Sequence, residues 1–360
     1  MIDSTSLARL RAIGLTQPVL QQLAQQVPPD DNAELRRVVD VQRENVVLHD
    51  GDNETAARVL PALRTELQAQ SDALAVGDWV LAAPNEWGQW WVHRRLPPLT
   101  QIARRLHDGR DKIARAVIVS NVDTALLTMG LDHDFSLRRL ERYLTLARLA
   151  HVSAVVVLTK LDLCDQVGRR LREVQAMLPA DTPAVAVNGL SAGAVPVLEP
   201  WLGAGQTLVL IGSSGAGKST LTNTLMGAEV QATGGTRTGD GRGRHTTTSR
   251  TLHRTPHGAC IIDTPGLRTL RLDTDEAALG QVFDDVAQMA LQCRFRDCRH
   301  DDEPGCAVRE AVPAERLRSF QKLRREARRD TMSLLERQQQ LSEWKARGRA
   351  SKERLKEKGR

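Results

Sequence analysis

The segment Gly212-Ser213-Ser214-Gly215-Ala216-Gly217-Lys218-Ser219-Thr220 directly follows the apolar run TLVLI and leads into a helical pattern. No other feature of the chain restricts its fold so strongly. The segment fits G-x-x-x-x-G-K-[ST], where glycines let consecutive backbone N–H groups face one phosphate and the helix N-terminus adds favourable potential. In such a loop Lys218 reaches the β- and γ-phosphates, and the Ser219 hydroxyl ligates Mg2+. The surrounding sequence has the matching rhythm. From Ala116 short β-rich runs alternate with amphipathic stretches: AVIVSN, FSLRRLERYLTLARLA, SAVVVLTK, VGRRLREVQAML, PAVAVN, then TLVLIG, STLTNTLMG and CIIDTPG. This alternation predicts an α/β domain with a mostly parallel sheet covered on both faces.

Two further motifs choose the base. Thr159-Lys160-Leu161-Asp162 ends the strand-like SAVVVL. A carboxylate at Asp162 can accept from guanine N1–H and the exocyclic amine together, whereas adenine offers no matching pair of donors. The Lys160 stem lies along the base plane. Ser191-Ala192 follows PAVAVN and fits a small-residue loop whose backbone N–H meets guanine O6. Asp263-Thr264-Pro265-Gly266 follows CII, placing Asp263 to hold Mg2+ through water and the Gly266 N–H to sense the γ-phosphate. Between the phosphate loop and this motif runs TGGTRTGDGRGRHTTTSR, whose glycines and hydroxyls suit a switch loop. One of Thr246, Thr247 or Thr248 is expected to sense Mg2+, with Thr247 the candidate ligand.

Motif order departs from the usual arrangement, in which the phosphate loop comes first. Here the base motifs at 159 and 191 precede the phosphate loop at 212. A parallel sheet tolerates such a permutation if the original termini were adjacent and became joined. The second switch would then run straight into the segment C-terminal to DTPG.

That segment holds a Cys/His knot. Cys293-x4-Cys298-x-His300-x5-Cys306 offers three thiolates and one imidazole at short spacing, a set that favours a closed, structural tetrahedral Zn2+ site. The intervening Asp301-Asp302-Glu303-Pro304-Gly305 has too few apolar residues to fold unaided, so metal would supply the missing free energy. Cys164 and Cys260 stand apart and read as core or near-core residues. From Glu315 onward the tail carries sixteen Lys or Arg against seven Asp or Glu, a net of +9 that leaves the other 314 residues at −3 although the whole chain is +6. Such a tail is expected to lie against nucleic-acid phosphates.

Ahead of the α/β region, VQRENVVLHDG and VGDWVLAAPNEWGQWWVHRRL alternate as β-hairpins do, and four of the six tryptophans (Trp79, Trp87, Trp90, Trp91) fall in the second run. ETAARVLPALRTEL fits helix or strand equally. Residues 1–40 read as a helical or loosely ordered extension. The 41% apolar content excludes wholesale disorder, and no run approaches the ~18 apolar residues of a membrane span. The N-terminus has neither an apolar signal core nor a small-residue cleavage site, so a cytoplasmic protein with no membrane partner is expected.

The permuted series TKLD, SA, GSSGAGKST, RHTTT, DTPG, followed by Cys-x4-Cys-x-His-x5-Cys, resembles the circularly permuted, small-ribosomal-subunit-dependent GTPases of the RsgA type over roughly residues 75–330. VGDWV and RRLPPLTQIAR resemble the family's N-terminal OB-type barrel, and SNVD at 120–123 its first GTPase strand. The resemblance implies an extension (1–40), an OB-type β-barrel (41–108), a permuted GTPase domain (109–275), a zinc-binding, mainly helical domain (276–335) and a basic tail (336–360). It also implies a monomer that binds GTP and GDP, matures the small subunit in contact with its rRNA, and leaves on hydrolysis. Thr159 stands where many members carry Asn, which would soften the link between base loop and phosphate loop. Leu267 follows DTPG where many GTPases place a water-orienting Gln, so His245, similar to the family's RHTTT histidine, is the candidate catalytic residue. Arg94, Arg95 and a stacked Trp are candidate RNA contacts on the barrel, although most of the tryptophans are expected in its core. Two rivals are an RNA-binding module with a vestigial nucleotide site, disfavoured by intact Lys218, Ser219 and Asp263, and a metabolic phosphate-loop kinase, disfavoured by TKLD.

Overall fold

The structure, a computed structural model, describes residues 3–26, 32–42, 45–107, 113–230, 250–264 and 276–331. Two helices open the chain, α1 (Ser4–Ala12) and α2 (Gln17–Ala24), the first capped by the Asp3 carboxylate accepting from the Ser6 N–H at 2.6 Å. Strands β1 (Glu34–Gln42), β2 (Asn45–His49) and β3 (Glu54–Val59) come next. Helix α3 (Pro61–Ala69) then leads to β4 (Trp79–Pro84) and β5 (Trp90–Arg95). The ambiguous ETAARVLPALRTEL is thus both things: strand to Val59, helix from Pro61, with the proline at the helix start where its missing N–H costs nothing.

These strands pair in the order β1-β2-β3-β5-β4, and β4 pairs back onto β1, so the sheet closes on itself. Only β3–β5 is parallel. A closed five-stranded Greek-key barrel with a helix between its third and fourth strands is the OB architecture. Val38, Val46, Leu48, Val80 and Val92 fill it, and Leu63 and Leu67 of α3 pack against them. The expected barrel start at residue 41 falls inside β1. Residues 34–40, expected in a helical or loosely ordered extension, are strand, and Arg36 and Arg37 are both buried on it.

Strands β6 (Gln101–His107) and β7 (Ile113–Ser120) form a separate two-stranded sheet. AVIVSN, expected as the first strand of the parallel sheet, therefore belongs to this hairpin. It stops at Asn121, which has φ +52°, and the parallel sheet begins with β8 (Thr124–Gly130). Every residue of β8 is buried, so the strand shows no alternation by which to recognise it.

The rest of the α/β region comprises α4 (Leu137–Leu149), β9 (Ser153–Thr159), α5 (Val167–Gln175), β10 (Ala184–Ala186) and α6 (Ala194–Leu198). β11 (Thr207–Ile211), α7 (Lys218–Met226), β12 (Thr251–Arg254) and β13 (Cys260–Asp263) complete it. The sheet order is β10-β9-β8-β11-β13-β12, all parallel except the β12–β13 edge. Its core gathers Leu126, Val155, Val157, Leu208, Leu210 and Ile261 with Leu221 and Leu225 of α7. The edge strand β12 also pairs antiparallel with β1, with Asp40 opposite Thr251, so barrel and α/β sheet form one continuous eleven-stranded sheet.

The chain divides into two compact units, Met1–Arg104 with Arg115–Leu270, and Arg105–Ala114 with Arg271–Arg360. Described helices of the second are α8 (Glu276–Val282), α9 (Asp284–Ala290), α10 (Ala307–Ala311) and α11 (Ala314–Thr331), with Phe283 against Phe320 at 5.3 Å between ring centroids.

Candidate functional site

Open parallel sheets place ligands beyond the carboxyl ends of their strands, and the described nucleotide motifs sit there: the phosphate loop after β11, TKLD at the end of β9 and Asp263 at the end of β13. β11 ends at Ile211 and the chain turns through Gly212–Gly217 before α7 begins at Lys218. The turn needs its glycines. Gly215 and Gly217 both have φ +85°, and a Cβ on Gly212 would lie 2.3 Å from the Thr128 carbonyl oxygen. Ser213, Ser214 and Ala216 make up the rest of the loop, and Ser219 and Thr220 lie half-buried in the first turn of α7.

Lys218 is only 7% exposed, and its ammonium donates to the carbonyls of Gly212 (3.0 Å) and Ser213 (2.7 Å). Burial pushes its pKa below the usual lysine range, against the opposing pull of Asp263 and Asp134. Asp263 ends the neighbouring strand β13, and burial pushes its carboxyl up, with Lys218 opposing. Both groups would gain from a bound anion and its counter-cation: phosphate restores the charged lysine, and a cation restores the carboxylate. Thr264 donates from Oγ1 to the Leu210 carbonyl at 2.8 Å and so ties the Asp263 strand end to β11.

The base-loop residues hang from β9 and β10. Thr159 is buried at the end of β9, and its hydroxyl donates to the Ala216 carbonyl at 2.6 Å. This hydrogen bond joins TKLD to the phosphate loop. The threonine hydroxyl reaches this carbonyl directly, so the link between the two loops is present as a single side-chain hydrogen bond. Lys160 takes a left-handed backbone (φ +59°), and its Nζ donates to Asp132 at 2.7 Å. Asp162 is solvent-exposed in the 3-10 turn Leu161–Leu163. Ser191 and Ala192 are exposed after β10, where Ser191 Oγ accepts from the Gly193 N–H at 3.1 Å. α7 reaches this loop too, through Thr224 Oγ1 donating to the Gly189 carbonyl at 2.6 Å. His245, Thr246, Thr247, Thr248, Gly266 and Leu267 lie outside the described residues.

Sequence reasoning missed the turn between β8 and α4. Asp134 is buried there and accepts from Ser213 Oγ of the phosphate loop at 2.5 Å and from the Gly130 N–H at 3.2 Å, and it pairs with Arg139. The available signal was Asp-His-Asp directly after an apolar run.

In the second unit Cys293, Cys298, His300 and Cys306 bring their ligand atoms within 4.8 Å of one another. His300 Nδ1 lies 3.6 Å from Cys293 Sγ and 3.4 Å from Cys306 Sγ. His300 has φ +61°, and its carbonyl accepts from Gln321 Nε2 of α11 at 2.6 Å, which fixes the turn. Three sulfurs and one nitrogen gathered in this way fit a tetrahedral zinc ion.

The barrel calls for a correction. The Arg95 side chain is 7% exposed and bonds Asp72 at 2.6 Å, with Asp78 3.8 Å away, so it is an internal counter-ion and no RNA contact. Of the clustered tryptophans only Trp79 is fully buried; Trp90 and Trp91 are half-buried, and Trp87 on the β4–β5 turn is 81% exposed. Arg94 donates to Gln26 at 2.9 Å.

Residues 100–273 match the family model described as RsgA GTPase. A protein of Vibrio vulnificus called small ribosomal subunit biogenesis GTPase RsgA 2 is 41% identical over 302 residues, 79% of this chain and 84% of its own length. A small ribosomal subunit biogenesis GTPase RsgA of Xanthomonas oryzae is 43% identical over 294 residues, 80% of this chain and 79% of the relative. Among solved structures, YjeQ from Thermotoga maritima superposes with a TM-score of 0.60 at 24% identity, covering 82% of this chain and 98% of that one. YloQ, described as a circularly permuted GTPase, gives 0.56 at 19% identity, covering 86% of this chain and 99% of that one. With the permuted sheet, the phosphate loop and these relatives in agreement, the chain belongs to the RsgA GTPase family.

Proposed function

We propose that this chain is a GTP hydrolase that acts as a late maturation factor of the small ribosomal subunit and is released from the particle by hydrolysis. The observation that carries the reading is the Thr159–Ala216 hydrogen bond, which holds a guanine-type loop and a phosphate loop in one constellation with Lys218 and Asp263. Relatives more than 40% identical over most of this chain bear the name small ribosomal subunit biogenesis GTPase, which supports the coarser part of this reading. Asp162 and the Ser191-Ala192 backbone would read the guanine edge, and the Gly212–Thr220 loop would cradle the phosphates of GTP or GDP. Ser219, Thr247 and Asp263 would hold Mg2+, which neutralises developing charge on the phosphate oxygens. Gly266 would sense the γ-phosphate. His245 would orient the attacking water, because Leu267 cannot. The Cys293/Cys298/His300/Cys306 group would hold one structural Zn2+.

The partner is the small subunit with its rRNA, approached by the barrel and the basic tail, and the protein works as a cytoplasmic monomer. Among the described residues no helix is long and apolar enough to cross a membrane.

Steady-state hydrolysis of GTP and of ATP, with and without purified small subunits, tests the reading. GTP turnover should rise on adding the subunits, and ATP should be a poor substrate. Equal turnover of both nucleotides, or none with subunits present, overturns it. His245→Ala should bind GTP normally and lose stimulated turnover, and unchanged stimulated turnover removes His245 from the mechanism.

A further inference from the structure

The β8–α4 turn carries two carboxylates, each bonded to a different nucleotide-loop motif. Asp134 accepts from Ser213 Oγ of the phosphate loop at 2.5 Å, and Asp132 accepts from Lys160 Nζ of the base loop at 2.7 Å. The two are linked to each other, since Asp132 Oδ1 accepts from the Asp134 N–H at 3.1 Å. The turn is anchored at its start: the Leu131 N–H donates to the Thr159 carbonyl at 3.0 Å, and the Gly130 N–H to Asp134 Oδ2 at 3.2 Å. Its space is closely filled. A Cβ on Gly130 would lie 2.5 Å from Asp132 Oδ1 and 3.4 Å from Lys160 Cδ. Burial alone would raise the Asp132 carboxyl, yet the Lys160 hydrogen bond and the Asp134 N–H hold it below the usual range, so it stays an anion opposite the lysine.

We propose that Asp132 and Asp134 are positioning residues for guanine nucleotide: Asp134 sets the phosphate loop through Ser213, and Asp132 holds the Lys160 head so that its stem is laid out before the base arrives. This inference rests on the nucleotide-binding reading of the site. A lysine whose head is already paired loses less rotamer freedom on binding, and lower ordering cost appears as affinity. Among the described residues the turn makes no hydrogen bond to Asp263, Ser219 or Lys218, and it acts on Lys218 only through space and through Ser213. Its effect therefore falls chiefly on binding.

Fluorescent-GDP titration and steady-state GTP hydrolysis of the full chain separate the outcomes. Asp132→Asn and Asp134→Asn should each weaken nucleotide binding and raise KM by roughly five- to tenfold, with kcat at saturation within about twofold. Ser213→Ala should weaken binding to a similar degree, and combining it with Asp134→Asn should cost less than the two single effects summed, because the two share the Ser213–Asp134 contact. Full additivity of that pair, or nucleotide binding equal to the unsubstituted protein, overturns the proposal while leaving the nucleotide reading in place. A fall in kcat and melting temperature together with affinity also overturns it, since that marks a merely structural turn. If the unsubstituted protein itself fails to bind fluorescent GDP, the nucleotide reading falls first.

Discussion

Thr159 shows how one atom can bind two motifs. Its hydroxyl donates to Ala216 at 2.6 Å, and the facing Gly217 leaves room for it, since a Cβ there would lie 3.1 Å from Thr159 Oγ1. Thr159→Val keeps the shape and removes the donor, leaving a buried carbonyl unpaired. It should weaken GTP binding roughly fivefold to tenfold in a nucleotide titration, whereas Thr159→Asn, with an amide donor, should retain most of it. A second residue-scale effect concerns pH. Asp78 is fully buried, and burial pushes its pKa up to about 6 against the opposing pull of Arg95. A carboxyl raised in the folded state contributes stability that is complete below the unfolded value near 4 and is lost as pH rises through about 6. The urea midpoint of the unsubstituted protein, measured relative to Asp78→Asn, should accordingly fall between pH 4 and 6, by an amount equivalent to at most about 3 kcal/mol. A pH-independent difference would show that Asp78 does not titrate in that window. At this scale the legible residues were those whose chemistry is tied to a spacing, such as Lys218 and Cys293. Arg95 was misread because an arginine beside tryptophans looks like an RNA contact until its partner Asp72, 23 positions away in sequence, is seen.

Strands were legible where a motif or a flanking helical stretch marks their end, even when wholly buried as β11 and β13 are. The strands β9 and β11 had their flanking helices to mark them, but β8 is buried throughout and reads as one more apolar run. The turn after it, with Asp132 and Asp134, was lost with it. β1 was hidden for the opposite reason. Arg37, wholly buried on that strand, donates to the Asn121 carbonyl and the Thr207 hydroxyl at 2.9 Å each and also to the Ile13 carbonyl, so one guanidinium pins α1's end, the barrel and β11. Nothing in local sequence says that a charge is internal. Arg37→Lys cannot reproduce the planar fork and should lower stability by about 2–3 kcal/mol in urea unfolding. The Cys/His turn, in contrast, was read from spacing alone, because three thiolates and an imidazole within fourteen residues leave few other uses. Chelation of a loaded sample, or Cys298→Ser, should release metal and reduce helical circular dichroism of the second unit. Fluorescent-GDP binding should persist, since Lys218, Thr159 and Asp162 all lie in the first unit.

At the scale of the molecule, motif order predicted the permutation, and the sheet order explains why it is tolerated: β9 and β10, which carry the base motifs, lie in the same parallel sheet as β11, with only β8 between β9 and β11, so the base loops and the phosphate loop open at the same edge. What the sequence could not show is that the edge strand β12 is shared. It pairs with β13, which ends in Asp263, and with barrel strand β1, so the barrel is bonded to the strand directly after the 231–249 segment. Charge is distributed with equal asymmetry. The chain as a whole is +6, yet residues 332–360 hold nine Lys or Arg against four Asp or Glu, so removing them leaves a protein of only +1. Contacts to RNA phosphates release counterions, so affinity falls with salt in proportion to the number of phosphates neutralised. A chain ending at residue 331 should therefore bind small subunits more weakly at low salt, and the slope of log affinity against log salt should be shallower. Nucleotide affinity should not change, because no residue assigned to the nucleotide lies beyond 331. Sedimentation with purified subunits across a salt series measures both slopes. Equal slopes would place the electrostatic contact on the barrel and α11 instead of the tail, and Arg94 would then be the next residue to substitute.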